Sequence, residues 1–244
     1  MSVVLSVENL RVRVGGKEVL SGVSLDIRAG EIHFLMGPNG SGKSSLAYAI
    51  AGHPEYQVTT GSITLGGQHI LTLKPEERAS RGLFLSFQEP PEVGGVSMSI
   101  FLKSIATGET PHVVGERVAA FLPRIGLQEQ FMSRLLNEGF SGGEKKKSEL
   151  LQMIARKPKI AILDEIDSGL DVDALKSVAQ IISDSRKSGT GFLIITHAPR
   201  LISYLEPDQM HILIGGRCVA SGGKEILAPL EERGYEAFTD LVKL

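Results

Sequence analysis

The alternation of hydrophobic and polar residues predicts three β-hairpins in this chain. The first covers residues 5–27, the second residues 62–70 and the third residues 210–223, and each has a Gly-Gly pair where the alternation breaks. Alternation with a period of two is typical of strands with one buried face, and paired glycines supply the positive φ angles of tight turns. The chain is therefore expected to contain antiparallel β-structure near both of its ends.

Continuous apolar runs ending in a polar residue or a glycine predict a second kind of strand, buried on both faces. Four such runs occur, at Glu31–Gly37, Leu83–Gln88, Lys159–Glu165 and Gly191–His197. The last two flank a helix-like segment at residues 171–189, and residues 43–52 form another helix-like segment that ends in glycine. Strands that alternate with helices imply parallel pairing through crossover connections, so the predicted fold class is α/β.

The middle of the chain, from about Ser97 to Phe140, has a different pattern. Helical periodicity occurs in SIFLKSIAT and in VGERVAAFLPRIG, and strand signals are few. We interpret this segment as a helical insert. The tail at residues 224–244 is also predicted to be helical.

Composition limits the functional classes. The chain has 244 residues, 42% hydrophobic residues and a net charge of −2, which argues against a protein that coats nucleic acid. It has one cysteine, Cys218, so no disulfide can form within it, and a reducing, cytoplasmic location is expected. No signal peptide and no run of about 18 apolar residues is recognised, and a soluble protein is expected.

The clearest chemical motif is G-x-x-x-x-G-K-[ST], which binds phosphate in P-loop proteins. Its residues are Gly37, Pro38, Asn39, Gly40, Ser41, Gly42, Lys43 and Ser44, followed by Ser45. Glycines allow backbone N–H groups to point at phosphate, and the helix that follows presents its unpaired N–H groups and its positive end. Lys43 is expected to reach the β- and γ-phosphates, and Ser44 to bind Mg²⁺. The alternative is a glycine-rich turn that only caps a helix.

Polar residues at the ends of three other buried strands are candidates for the same site. Asp164 and Glu165 follow IAIL, Gln88 follows LFLSF, and His197 follows FLIIT. Carboxyl ends of parallel strands meet at one edge of the sheet, so Asp164 is predicted to hold the metal through water and Glu165 to polarise the attacking water. Gln88 and His197 are each candidates for contact with water, the metal or the γ-phosphate. Without the P-loop, the two acids would be read as solvated loop residues.

A second candidate anion site has no lysine at its centre. Ser141 and Glu144 have the spacing of a capping box, and Gly142 and Gly143 leave the amides of the first helical turn uncovered. A simple helix cap needs no glycine pair, so we predict that this helix start binds an anion.

The order of these motifs resembles the ATPase domain of ABC proteins over nearly the whole chain. The resemblance implies one ABC-type domain over residues 1–244, with a mainly parallel core sheet, an antiparallel N-terminal β-subdomain and a helical subdomain at residues 89–155. It implies that ATP and Mg²⁺ are bound, and that ATP is hydrolysed with Lys43, Gln88, Glu165 and His197 as catalytic residues. Two domains of this family pair head to tail, so that Ser141–Glu144 and Asp171 contact the nucleotide of the partner copy.

Longer segments, among them GFSGGEKKKSELLQM and LDEIDSGLDVDAL, closely resemble the SufC ATPases of the SUF iron–sulfur cluster assembly system. That resemblance implies soluble SufB and SufD scaffold proteins as partners, with no nucleic acid and no direct insertion into a membrane. The segment after Gln88 is expected to contact this scaffold. A membrane ABC transporter subunit is the main alternative. A nucleic-acid ATPase is a weaker one, because the chain has neither a long coiled coil nor a tandem second domain.

Cys218, the lysine run at residues 145–147 and two histidines are expected to have structural roles. Cys218 is expected to be a packed strand residue and no cluster ligand, because clusters need several thiolates. The run at residues 145–147, three lysines, is expected to be a solvated or interface face of a helix. His33 and His211 lie inside apolar strands and are predicted to be core residues.

Overall fold

Strands and helices alternate through a computed structural model of the chain, which describes residues 2–106, 108–197 and 199–243. The strands are β1 (Val3–Val14), β2 (Lys17–Arg28), β3 (Ile32–Met36), β4 (Gln57–Leu65), β5 (Gln68–His69), β6 (Leu83–Ser86), β7 (Val93–Ser97), β8 (Leu135–Leu136), β9 (Ile160–Asp164), β10 (Gly191–Ile195), β11 (Gln209–Ile214) and β12 (Arg217–Gly222). The α-helices are α1 (Lys43–Ala51), α2 (Pro75–Ser80), α3 (Met98–Ile105), α4 (Pro111–Phe121), α5 (Gly142–Arg156), α6 (Val172–Lys187), α7 (Pro199–Tyr204) and α8 (Leu227–Arg233).

The core sheet has the order β12-β11-β3-β10-β9-β6. Strands β11, β3, β10, β9 and β6 are parallel, and β12 closes the edge as the antiparallel arm of a hairpin. A four-stranded antiparallel sheet, β2-β1-β4-β5, contains the first two predicted hairpins. The predicted fold class, a mainly parallel α/β core with an antiparallel N-terminal sheet, is confirmed.

The core lies on both faces of the parallel sheet, which explains its continuous apolar runs. In β3, Phe34 and Met36 pack with α5 and α6, whereas Leu35 packs with α1 and the antiparallel sheet. In β9, Leu163 packs on the face that carries α5 and α6, and Ile162 packs on the opposite face. Because successive side chains of a strand point to opposite faces, each strand buries nearly every residue, and its polar functional groups can emerge only at its end.

The segment between β6 and α5 contains α3 and α4, as the periodicity predicts, and also a small ribbon. Strand β7 pairs with the two-residue strand β8. This ribbon was not expected, because Gly94 and Gly95 interrupt one strand and the other is too short to show alternation. The tail is helical as expected, but residues 224–226 and 234–243 form 3₁₀ turns around the single α-helical segment α8.

The expectations for the two histidines and for the lysine run can be compared with the structure. His33 and His211 are buried, and their ring nitrogens Nδ1 and Nε2 lie 3.0 Å apart, so both are core residues. Burial lowers the pKa of His211 to about 4. Lys146, in contrast, is only 5% exposed, so the expectation of a solvated face for the lysine run is wrong at its central residue. In the described residues, no helix has the length and apolar content that a membrane crossing requires.

A buried arginine joins the end of α1 to α2. The Arg78 guanidinium, 4% exposed, donates to the carbonyl oxygens of Ala49 and Ile50 in the last turn of α1 and of Leu71 and Leu73 in the loop before α2. The last carbonyl groups of a helix have no partner within the helix, so Arg78 supplies one.

Replacing Arg78 with Leu should therefore remove a donor from four carbonyl groups, of which Ala49 O alone keeps a second donor, Gly52 N. We expect the free energy of unfolding to fall by about 3 kcal/mol and Tm by roughly 6–12 °C. Thermal and denaturant unfolding followed by circular dichroism would measure both. The exposed Arg81→Leu variant is the control, and a loss below about 1 kcal/mol for Arg78→Leu would contradict the assignment.

Candidate active site

The P-loop connects β3 to α1 and is packed tightly against the hairpin β11–β12. A Cβ atom on Gly37 would lie 2.1 Å from the Leu213 carbonyl oxygen, and one on Gly42, whose φ is 106°, would lie 2.8 Å from Leu20. Glycine is therefore required at both positions by close contact, and at Gly42 also by the backbone conformation. This packing holds the loop closely against β2 and β11 at the start of α1.

Lys43 lies across the inside of this loop. Its Nζ atom donates to the carbonyl oxygens of Gly37 at 2.9 Å and Pro38 at 3.0 Å. The residue is only 5% exposed, and burial lowers the pKa of Lys43, while Glu165 and Asp164 act in the opposite direction. The loop thus holds a buried ammonium group at the place where the sequence predicts phosphate.

Strand β9 delivers Asp164 and Glu165 to the same edge of the sheet. Burial raises the pKa of Asp164, and the Ser44 hydroxyl opposes this by hydrogen bonding to the carboxylate. The Oδ1 atom of Asp164 is buried and has no hydrogen-bond partner. A buried carboxylate oxygen without a donor is well suited to a metal ion or to water bound to one.

Glu165 is held between two residues that come from other strand ends. Its Oε2 atom accepts a hydrogen bond of 3.0 Å from Gln88, and its Oε1 atom lies 3.2 Å from His197 Nε2. Its φ angle of 51° falls in the left-handed region, where a residue with a side chain is strained and which is common at functional sites. The structure therefore brings together the candidates from β6, β9 and β10.

These residues line one large cavity of about 980 Å³. Its walls include the predicted residues Asn39, Gly40, Gly42, Lys43, Ser44, Ser45, Gln88, Glu165 and His197. Of the other P-loop residues, Ser41 is buried at 3% exposure and its hydroxyl has no hydrogen-bond partner. The predictions did not include five further wall residues, which are Lys17, Glu18, Val19, Gly215 and Gly216.

The second candidate anion site lies outside this cavity. Ser141 caps α5 and accepts a hydrogen bond from Glu144 N at 3.2 Å, while Glu144 accepts one from Ser141 N at 2.8 Å, so the capping box is present. Arg134 donates to the Glu144 carboxylate and lies over the Phe140 ring at 4.3 Å. A Cβ atom on Gly142 would meet nothing within 4 Å, so the start of α5 is open for a contact from outside the chain.

Asp171 and the loop before it line a separate depression of about 340 Å³ that shares Glu165 and His197 with the main cavity. Asp171 accepts a hydrogen bond from Ala174 N at 2.8 Å and so caps α6. Asp167, which the sequence analysis did not single out, accepts a hydrogen bond of 2.6 Å from Thr196, next to His197. In the part of the chain that the structure describes, neither Ser141–Glu144 nor Asp171 lines the cavity beside the P-loop.

Residues 20–168 match the protein family described as ABC transporter, and this match covers more than half of the chain. The chain belongs to the ABC ATPase family. As an ABC ATPase it binds ATP with Mg²⁺ and hydrolyses ATP. The residues present fit both groups, because Lys43 and the open amides suit phosphate and Asp164 Oδ1 suits the metal.

Individual relatives of this ABC ATPase are similar over nearly their full length. It is 47% identical over 239 residues to Vegetative protein 296 of Bacillus subtilis, covering 95% of the chain and 92% of the relative. It is 45% identical over 245 residues to the probable ATP-dependent transporter ycf16 of Pyropia yezoensis, covering 97% and 98%. A solved structure of an ATP-binding subunit of an ABC transporter has a TM-score of 0.83 and 25% identity, covering 98% of this chain and 99% of that one.

Within residues 2–106, 108–197 and 199–243, no group of three or more His, Cys, Asp or Glu side chains could hold a metal ion by itself. Mg²⁺ typically takes only one or two protein carboxylates and completes its shell with water and phosphate oxygens. We expect Ser44, Gln88 and Asp164 to contact Mg²⁺ in that way.

Proposed function

We propose that this chain is a SufC-type ATPase subunit that drives a conformational change in a soluble SufB–SufD-like scaffold during iron–sulfur cluster assembly. The observation that carries the proposal is the separation of two anion sites in one subunit. The cavity is lined by Lys43, Gln88, Glu165 and His197, while the open helix start at Ser141 is not part of its lining. A complete site then needs a second copy of the chain.

The residue roles follow from this arrangement. Lys43 and the P-loop amides bind the phosphates, and Ser44, Gln88 and Asp164 hold Mg²⁺, which neutralises charge on the phosphates. Glu165 orients and polarises the attacking water, and His197 contacts the γ-phosphate. Ser141, Gly142, Gly143, Glu144 and Asp171 approach the same nucleotide from the partner copy. Binding of ATP across this interface favours the closed dimer, and hydrolysis releases it.

The domain organisation is part of the proposal. Residues 1–244 form a single ABC-type ATPase domain, and residues 89–155 form the helical subdomain that carries the second anion site. Closure of the dimer would move this subdomain relative to the P-loop of the other copy. We place the protein in the cytoplasm, as its single cysteine suggests.

A groove of about 330 Å³ beside Gln88 supports a protein partner. Its lining is mainly apolar and includes Tyr48, Phe84 and Phe87, with Tyr48 and Phe87 rings 6.4 Å apart. Phe87 is 39% exposed although it adjoins a catalytic residue. Aromatic side chains at the surface are typical of protein interfaces, so we place the scaffold contact here.

The alternative is the ATPase subunit of a membrane ABC transporter. The family description and the names of relatives such as ycf16 contain the word transporter, and the groove could receive a permease as well as a scaffold. The two functions differ in the partner, and the partner can be isolated.

Ala79→Glu should abolish binding of the partner, because Ala79 lines the groove and the new carboxylate would project into apolar surface. Affinity purification of the tagged protein from its native cell, with and without detergent, would measure this. Ser80→Glu, an exposed position on the same helix outside the groove lining, is the matched control. Soluble proteins that bind iron–sulfur clusters and are lost only with Ala79→Glu would support the proposal. An integral membrane protein lost in the same way would establish the alternative.

A further inference from the structure

A buried lysine and a buried glutamate on α5 have no part in the roles described so far. Lys146 is 5% exposed and Glu149 is 2% exposed, and their charged atoms lie 4.0 Å apart, one helical turn from each other. Burial raises the pKa of Glu149 to about 7, although Ser86, Lys146 and the Phe87 N–H group act in the opposite direction. Buried charges are costly unless they are paired and hydrogen bonded. The contacts of this pair therefore indicate why it is buried.

Both side chains hold the end of β6, immediately before Gln88. Glu149 Oε2 accepts a hydrogen bond of 2.7 Å from Ser86 Oγ, and Glu149 Oε1 accepts one of 2.6 Å from Phe87 N. Lys146 Nζ donates to the carbonyl oxygens of Phe87 at 3.0 Å and Gln88 at 3.1 Å. The backbone of Phe87 is thus held at its N–H group by one charge and at its carbonyl group by the other.

Lys146 also contacts the end of β9, which carries Asp164. Its Nζ atom lies 3.4 Å from the Asp164 carbonyl oxygen, so it joins the end of β9 to the end of β6. Hydrogen bonds to charged groups are shorter and about twice as strong as neutral ones. The peptide group between Phe87 and Gln88 is therefore held against α5.

Helix α5 begins at the other anion site. Its N-cap is Ser141, eight residues before Glu149, which corresponds to about 12 Å along a helix. A single helix therefore carries Ser141 of the second anion site at one end and the contacts to the Gln88 backbone two turns later. A shift of α5 on contact with a partner copy would be passed directly to Gln88.

We propose that Glu149, with Lys146, is a positioning residue that holds Gln88 in register with the metal site and links it through α5 to Ser141. The inference rests on the metal-binding role proposed for Gln88. Two consequences follow: loss of Glu149 should loosen the backbone around Gln88, and it should weaken the use of Mg²⁺ without weakening the contacts of the P-loop with ATP.

The test compares Glu149→Met, which keeps the volume but removes both acceptors, with Glu149→Gln, which keeps one acceptor oxygen for Phe87 N. Hydrogen–deuterium exchange of the peptide covering residues 86–92 should accelerate about tenfold in Glu149→Met and less in Glu149→Gln. The Mg²⁺ concentration that gives half-maximal ATPase activity should rise about fivefold in Glu149→Met, with partial rescue in Glu149→Gln. The affinity for ATP in EDTA should stay within a factor of two in both.

Ser148→Ala is the structural control, because Ser148 is fully buried on the same helix and bonds Met98 instead of the residues before Gln88. If Glu149→Met does not fold, Ser86→Ala removes only the hydroxyl donor to Glu149 Oε2 and should give a smaller shift in the same direction. Gln88→Ala tests the proposed role of Gln88 separately from the positioning role of Glu149. A raised Mg²⁺ requirement in Gln88→Ala with none in the Glu149 and Ser86 variants would overturn this inference alone. No change in Gln88→Ala would overturn the proposed role of Gln88.

Discussion

Glu165→Gln is expected to lower kcat for ATP hydrolysis by about 10²- to 10³-fold while leaving ATP bound. The Gln side chain has the same shape, but its amide cannot accept a proton from the attacking water. Gln88 at 3.0 Å and His197 at 3.2 Å hold the Glu165 carboxylate in one orientation, so the loss should fall on the chemical step and not on binding. Steady-state ATPase kinetics and equilibrium binding of ATP would measure the two effects separately.

The same variant should accumulate the closed dimer, because hydrolysis normally releases it. Size-exclusion chromatography with ATP and Mg²⁺, with the partner proteins present, should show this species. Glu231→Gln, which neutralises an exposed carboxylate on α8, is the control for loss of charge alone. ATP hydrolysis by Glu165→Gln at the parent rate would show that another group polarises the water.

The central architecture could be predicted from the sequence because each local signal agreed with the fold. The runs before Gly37, Gln88, Glu165 and His197 are apolar because parallel strands are buried on both faces, and their polar ends must then meet at one edge. Residues far apart in the chain were assigned to one site by this rule, and the structure brings them together.

The contacts of Lys146 and Glu149 with the end of β6 were not predicted, although the sequence contains a signal for them. Three consecutive lysines suggest a solvated face by composition, yet Lys146, Leu150 and Met153 recur at the spacing of one helical stripe, and all three are buried. The phase of the helix, and not the charge of the run, determines which lysine faces inward. Glu149 belongs to the same stripe and supplies the compensating charge.

The walls of the cavity contributed by Lys17–Val19 and Gly215–Gly216 could not be predicted. They reach the P-loop only because two hairpins pack against each other, with Ser21 N donating to Gly216 O at 2.8 Å and Gly216 N donating to Ser41 O at 2.9 Å. No periodicity in either hairpin encodes that contact. The approach of Ser141 to a partner's nucleotide stays a prediction of the resemblance, for which the open helix start is the supporting geometry.

Lys43→Ala should have the opposite effect on the same dimer. Its Nζ atom is buried inside the P-loop, so removing it deletes the charge that faces phosphate, and we expect affinity for ATP to fall at least about 10²-fold and kcat/KM by at least about 10³-fold. Calorimetric titration with ATP and Mg²⁺, together with ATPase kinetics, would measure both. Burial disfavours the charged form of Lys43, so loss of its ammonium group should cost little stability. Without ATP, the Tm of Lys43→Ala should therefore lie within a few degrees of the parent's Tm.

The contrast between the two variants is the sharper test of the head-to-tail dimer that ATP joins. If ATP joins two copies by lying between Lys43 of one and Ser141 of the other, Glu165→Gln must enrich the dimer and Lys43→Ala must deplete it under identical conditions. Lys187→Ala, an exposed lysine at the far end of α6, controls for the change in net charge. A Lys43→Ala protein that still dimerises on addition of ATP would separate nucleotide binding from association, and the head-to-tail arrangement would have to be abandoned.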